Sequence, residues 1–202
     1  MRSEFEGATM PVTYVVSDNH FGHAGMLSPR MGRPRPFSSV EEMDEHMIAL
    51  WNNRITPNDR VFHLGDFAYG CSLAHARSVF ARLNGHKTLV RGNHDQRGER
   101  LPWEGGIHDV LRLTVQDRCM PTPVDLWLSH YAHVTWPDAH RSRIHCYGHS
   151  HGSLAPTARS CDVGVDVWGF RPVTVPEVLE LLADVALSEG GPVATVALAE
   201  AA

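Results

Sequence analysis

Val12-Thr13-Tyr14-Val15-Val16-Ser17-Asp18-Asn19-His20 is a short β-branched run that stops at a carboxylate, an amide and an imidazole. Such a run predicts a buried strand over residues 12–17 that delivers its polar residues at the C-terminal end, where α/β proteins place their sites. The pattern then recurs. Residues 60–64 predict a second strand ending at Gly65-Asp66, and residues 87–91 a third ending at Gly92-Asn93-His94-Asp95. Between them lie two helical patterns. Residues 39–51 place Val40, Met43, Met47, Ile48 and Trp51 near helical spacing, with Ser38 or Ser39 as N-cap and Glu41 and Glu42 in the first turn; residues 72–83 predict a second helix closed by Asn84-Gly85.

The character changes from Ile107 onward. Strand-like runs at 109–115, 124–129, 144–147 and 162–167 are separated by loops, which predicts a second, more antiparallel sheet. A late helix is expected over 176–187, with Pro176 in its first turn. Met10-Pro11-Val12 leads directly into the first strand, so residues 1–9 read as a leader. Residues 189–202 read as a mobile or loosely packed tail rich in Gly, Pro and Ala, leaving a single domain over 10–188.

Composition bounds the function. With 202 residues, 43% hydrophobic and 20% charged, the chain can bury a core without disulfides or obligatory assembly. The 18 basic and 23 acidic residues give a net charge of -5, and no dense run of Lys or Arg follows a nucleic-acid backbone, so stable nucleic-acid binding is not expected. No apolar run is long enough for a signal segment or a membrane span, and the isolated Cys71, Cys119, Cys146 and Cys161 suit a reducing compartment, so a cytoplasmic location is expected. The unusual number is 14 His, nearly as many as Lys and Arg together; imidazole is the commonest metal ligand and titrates near neutrality.

Five polar clusters each follow an expected strand: Asp18-x-His20, Gly65-Asp66, Gly92-Asn93-His94-Asp95, Ser129-His130 and Gly148-His149-Ser150-His151-Gly152. Singly, each has a local reading: a turn, a helix entry, or the tight turn a Gly-Asn pair favours. Together, in one chain, they supply carboxylate, amide and imidazole ligands. His149 and His151 alternate around Ser150, so on an extended segment they would point to one side, as two ligands approaching a shared centre must.

The ordered set D-x-H, G-D, G-N-H-D, H and G-H-x-H resembles the signature of the calcineurin-like metallophosphoesterase superfamily, over about residues 12–172. Ser17-Asp18-Asn19-His20-Phe21-Gly22-His23, Trp51-Asn52 and His63-Leu64-Gly65-Asp66-Phe67 are similar to a compact bacterial or phage branch of it. The resemblance implies an α/β fold: a four-layer α/β/β/α sandwich of two mixed β-sheets flanked by helices. It implies two divalent ions, one held by Asp18, His20 and His151 and the other by Asn93, His130 and His149, with Asp66 bridging. Oxygen and imidazole donors without thiolate suit Mn, Fe or Zn, and Mn is favoured. The activity implied is hydrolysis of phosphate esters by a metal-bridging hydroxide, with His94 assisting the leaving oxygen and Asp95 fixing its ring.

Other residues keep two readings. His23 lies near enough to the first cluster to touch substrate and equally suits a helix N-terminus; His133 is similar. His63, inside a strand, reads as a core residue. Arg91 and Arg141 offer bidentate phosphate contacts or solvated surface charges, and Tyr131 and Trp136 offer stacking or packing. An HD-type phosphohydrolase matches only the His94-Asp95 pair, whose setting here is not helical. A metallo-β-lactamase-like site lacks two ligands after His151. A silent metal-bound scaffold predicts losses in the ligand set, and none is present. The expected substrate is a small phosphate ester, a nucleotide among the candidates, with diesters favoured over monoesters because the signature loops hold no Arg/Lys cluster to balance a dianion.

Overall fold

The computed structural model describes residues 10–188, so the leader expected over 1–9 and the tail expected over 189–202 lie outside the described residues. Nine strands and three helices follow in the order β1 (Thr13–Val16), α1 (Val40–Arg54), β2 (Arg60–His63), α2 (Leu73–Arg82), β3 (His86–Val90), β4 (Ile107–His108), β5 (Val110–Val115), β6 (Val124–Ser129), β7 (Ile144–Tyr147), β8 (Ser160–Asp162), β9 (Val173–Thr174) and α3 (Val175–Ser188).

The first sheet has the order β4-β3-β2-β1-β9. β1 through β4 pair in parallel, and β9 joins β1 antiparallel at the edge. All four residues of β1 are buried, because a central parallel strand is covered on both faces. Tyr14 and Val16 face a core shared with Met43, Met47, Trp51 and Phe80 of α1 and α2. Val15 faces the second sheet, packing with Leu126, Leu128, Cys146 and Cys161. The helices start where their caps predict: Ser39 accepts from the Glu42 N–H and Ser72 from the His75 N–H, each stabilising its helix by about 1 kcal/mol. The α2 exit turns on Gly85 at φ 90°, where an added Cβ would sit 2.8 Å from Ile55 Cγ2.

The second sheet, β5-β6-β7-β8, corrects one expectation. Only β5 and β6 pair antiparallel; β6–β7 and β7–β8 are parallel, because irregular crossovers rather than hairpins join those strands. The run expected at 109–115 is β5, and just before it Ile107 and His108 form a short strand, not expected from the sequence, that extends the first sheet. The run expected at 162–167 leaves the sheet after Asp162. The Val163 N–H still bonds Tyr147 O at 2.7 Å, but the Val165 N–H bonds Ser17 O at 3.0 Å, so this segment crosses from one sheet to the other.

The result is two mixed sheets packed face to face with three α-helices. α1 and α2 cover the first sheet. α3 packs along β9, β1 and β8 through Val178 and Leu182. The outer face of the second sheet is covered by the loop after Ser129, where Trp136 and His133 lie against His145. Parallel pairing brings β1, β2 and β3 to an end at one edge of their sheet, and β6 and β7 likewise end together in theirs.

Candidate metal centre

The five polar clusters meet at those strand ends. Asp18 and His20 follow β1, Asp66 follows β2, Asn93 and His94 follow β3, His130 follows β6, and His149 and His151 follow β7. Backbone bonds tie the loops together: the Asp18 N–H to Gly65 O and the His20 N–H to Asp66 O, each 3.0 Å, and the Gly148 N–H to His130 O at 2.9 Å.

Two donor triads result. Asp18, His20 and His151 bring one ligand atom each within 4.8 Å of one another, and Asp66, His130 and His149 do the same. Asp66 stands between them, its Oδ2 being 3.5 Å from His20 Nε2 and 3.6 Å from His130 Nε2. Asn93 Oδ1 lies 2.9 Å from His130 Nε2. Each triad draws ligands from both sheets.

The donor set fits cations. Asp18 Oδ1 and both His20 ring nitrogens are buried without a hydrogen-bond partner, an arrangement that costs free energy unless something positive is bound. His130 Nδ1 donates to Leu64 O at 2.7 Å, which leaves Nε2, beside Asn93 Oδ1, as the ring nitrogen aimed at the site. Burial pushes the Asp18 carboxyl up to about 8 and holds His20 well below the ordinary imidazole value. The carboxylate is therefore costly without a countercharge, and a neutral His20 keeps the lone pair of one ring nitrogen free.

The backbone is strained here. Asp18, His20, Asp66, His149 and His151 all lie in the left-handed region, at φ 58°, 51°, 59°, 63° and 46°. Each costs on the order of 1 kcal/mol or more and persists only where the surroundings over-determine it. The extended reading of residues 149–151 is therefore corrected: they form a turn, with the Ser150 N–H bonded to Gly148 O, and their imidazoles enter different triads.

Asp95 is also corrected. Its carboxylate accepts the N–H groups of Asp66 (2.8 Å), Phe67 (2.9 Å) and Gly92 (2.8 Å), and forms no hydrogen bond with the His94 ring. It pins two ligand loops together instead. His94 donates its backbone N–H to Asp66 Oδ1 at 2.8 Å, and its half-buried ring lies 4.2 Å from that of Tyr69 and 5.6 Å from that of His20. His23 joins the same corner, 5.4 Å from His20 and 4.7 Å from Tyr69 between ring centroids. Tyr131 stands against His130 and His149.

Several candidates point elsewhere. His133 accepts from Trp127 Nε1 on the outer face of the second sheet, and Trp136 donates to Arg143 O there. Arg91 is paired with Glu99 and Asp109, and Arg141 lies on an outer-face turn. His63 is a core residue bonded to Asn19 Oδ1 at 2.9 Å.

Three supporting residues escaped the sequence reading. Asp162 accepts from the Gly152 N–H and the Ser150 hydroxyl. Asp166 accepts from His151 Nδ1 at 2.7 Å, and Arg35 binds Asp166 through Nε and Nη2, both 2.8 Å. Burial alone would raise the Asp166 carboxyl, yet bonds from His151 and Arg35 hold it well below the usual carboxylate range. The alternation of Val163 and Val165, both fully buried, with Asp162 and Asp166 was the available signal. Arg35, between Pro34 and Pro36, carried none.

The model of the calcineurin-like phosphoesterases matches residues 11–168. The chain belongs to the calcineurin-like phosphoesterase family. Membership implies phosphohydrolase chemistry, and the family typically binds a dinuclear divalent centre, for which the two triads are the candidate ligands. An uncharacterized protein of Methanocaldococcus jannaschii is 30% identical over 178 residues, covering 86% of this chain and 93% of its own. The gene 66 protein of Mycobacterium phage D29 is 27% identical, covering 87% of this chain and 98% of its own. The crystal structure of a protein of unknown function from Aquifex aeolicus superimposes with a TM-score of 0.59 at 21% identity, over 85% of this chain and 99% of that one, a likeness of fold alone. Among the described residues, no helix of this phosphoesterase is long and apolar enough to cross a membrane.

Proposed function

We propose that this chain is a dinuclear-metal phosphohydrolase that cleaves small phosphate esters and prefers diesters. The observation that carries the reading is the pair of donor triads meeting at Asp66, with Asp18 Oδ1 and the His20 nitrogens buried and unpartnered. Divalent Mn, Fe or Zn, all of which the oxygen and imidazole donors suit, would if held there supply a water nucleophile at neutral pH and a clamp on the phosphoryl oxygens. Asp66 sets the spacing between the two triads. His94, anchored through its N–H to Asp66 and leaning on Tyr69, holds a ring nitrogen at the mouth of the site to protonate the leaving oxygen.

Charge and room support the diester. A monoester carries nearly two negative charges and a diester one, so a monoester calls for an additional cation. Arg35 is spent on Asp166, Arg91 on Glu99 and Asp109, and Arg143 on Asp138. Arg33 stands exposed on a groove of about 650 Å³ that opens beside His151 and is walled by Met31, Pro34, Val167 and Phe170. That groove offers space for a second organic substituent, which a diester has and a monoester lacks. The test is kcat/KM for bis(4-nitrophenyl) phosphate against 4-nitrophenyl phosphate in one Mn buffer. The diester is expected to be the better substrate. A tenfold preference for the monoester overturns the diester assignment and leaves the two-metal reading standing.

A further inference from the structure

We infer that Arg35 and Asp166 form a positioning pair that secures the first metal site, that of Asp18, His20 and His151, and not the second. The inference rests on the dinuclear reading above. The Arg35 side chain is 1% exposed, and its guanidinium donates to four oxygens of three residues. Nη2 donates to Asp18 O at 2.6 Å and Nη1 to Asn19 O at 2.7 Å, gripping the backbone of the loop that carries Asp18 and His20. Nε and Nη2 bind the two oxygens of Asp166 in the fork geometry that only Arg provides. Asp166 Oδ2 then accepts from His151 Nδ1, which fixes the tautomer and turns Nε2 towards Asp18 Oδ1, 4.0 Å away. One guanidinium therefore joins the three ligands of this triad, taken from segments more than 130 residues apart.

The second triad has no such support. His130 donates to a neutral carbonyl, that of Leu64, and no side-chain partner among the described residues holds the His149 ring. An ionised carboxylate behind an imidazole strengthens it as a donor and orients it; loss of such a partner typically costs 10–100-fold in metal affinity. The Arg35 nitrogens are buried and already donate to these acceptors, so they have no free donor to offer a substrate.

The experiment is a stepwise Mn titration of the metal-free protein, followed by the EPR signal of free Mn, for wild type, Asp166→Asn and the double variant Arg35→Gln/Asp166→Asn. The double variant removes both charges together, so no buried cation is stranded, and circular dichroism checks its fold. A second readout needs no metal: long-range ¹H–¹⁵N correlation on the metal-free protein reports the His151 tautomer. The expected result is that one ion binds 10–100-fold more weakly in both variants while the other stays within about twofold, and that His151 passes from a single Nδ1–H tautomer to a mixture. Equal weakening of both ions, or wild-type affinities and an unchanged tautomer, overturns the inference. Failure of the wild type itself to take up two ions overturns the dinuclear reading instead.

Discussion

Substituting alanine for Gly92 places a methyl group against the carboxylate that joins the two donor triads. A Cβ built there lies 2.3 Å from Asp66 Oδ1, 2.6 Å from Asp66 N and 3.0 Å from Gly65 Cα. Carbon–oxygen contacts relax to about 3.3–3.6 Å, so the carboxylate or the Gly92 backbone must retreat by about 1 Å. The backbone is pinned, because the Gly92 N–H and the Asp66 N–H share one oxygen of Asp95. Moving the carboxylate relieves only the first contact, so the Gly92 and Asp66 backbones must also part, against their bonds to Asp95. Gly92 is not among the residues with positive φ, so alanine suffers no conformational penalty and stiffens the unfolded chain, a gain of about 0.4–1 kcal/mol. Overpacking costs about 1–3 kcal/mol and wins. At roughly 2–4 °C per kcal/mol for a domain of this size, the Tm of the metal-free protein should fall by several degrees. Turnover should fall by about 10²-fold, the usual consequence of a 1 Å misplacement at a reacting centre. The assay pairs a melting curve with kcat on bis(4-nitrophenyl) phosphate. A Tm at or above wild type together with turnover within threefold of it would refute the steric argument.

Three other outcomes are expected. Asp66→Asn should abolish most activity and lower bound metal below two ions per chain by elemental analysis; two ions with near-normal turnover would remove Asp66 from the bridging position. His94→Ala should lower turnover by about 10²–10⁴ with metal content intact, and the loss should shrink for better leaving groups, whereas an equal loss on nitrophenyl and alkyl esters would point to damaged metal binding. Burial holds His63 at about 3 and His145 at about 4, against about 6.5 for unfolded imidazole. Their contribution is therefore complete above pH 6.5 and is lost as pH falls towards those values, because the unfolded chain takes up protons that the folded one refuses. Tm measured without metal should decline from pH 6.5 to 4.5, less steeply in His63→Gln, and an identical slope in that variant would contradict the assignment.

Residues whose role follows from local pattern were legible in the sequence. Val12 to Val16 could only be a buried strand, and a carboxylate and an imidazole placed directly after it had to lie at a strand end. Ser39 announced its helix in the same way. Pairing direction was less legible, since β6 and β7 carry the same apolar runs whether parallel or antiparallel, and only the length and course of the crossover decides. The roles of Asp95 and Arg35 were hidden for another reason. Adjacency in sequence suggested that Asp95 serves His94, yet its partners are the backbones of Asp66 and Phe67. Arg35 meets Asp166 across 131 positions, a distance no local periodicity spans.

The division of each triad between the two sheets makes any bound ion a fastener of tertiary structure. Asp18 and His20 stand on the first sheet and His151 on the second; Asp66 stands on the first and His130 and His149 on the second. Chelation therefore clamps a seam, and sliding one sheet over the other would pull ligands off both ions at once. At a hundredfold excess over its Kd each ion adds about 2.7 kcal/mol to the folded state. That gain should appear as slowed amide exchange along the facing ends of β1 and β7, and a chelator should reverse it without unwinding α1 or α2.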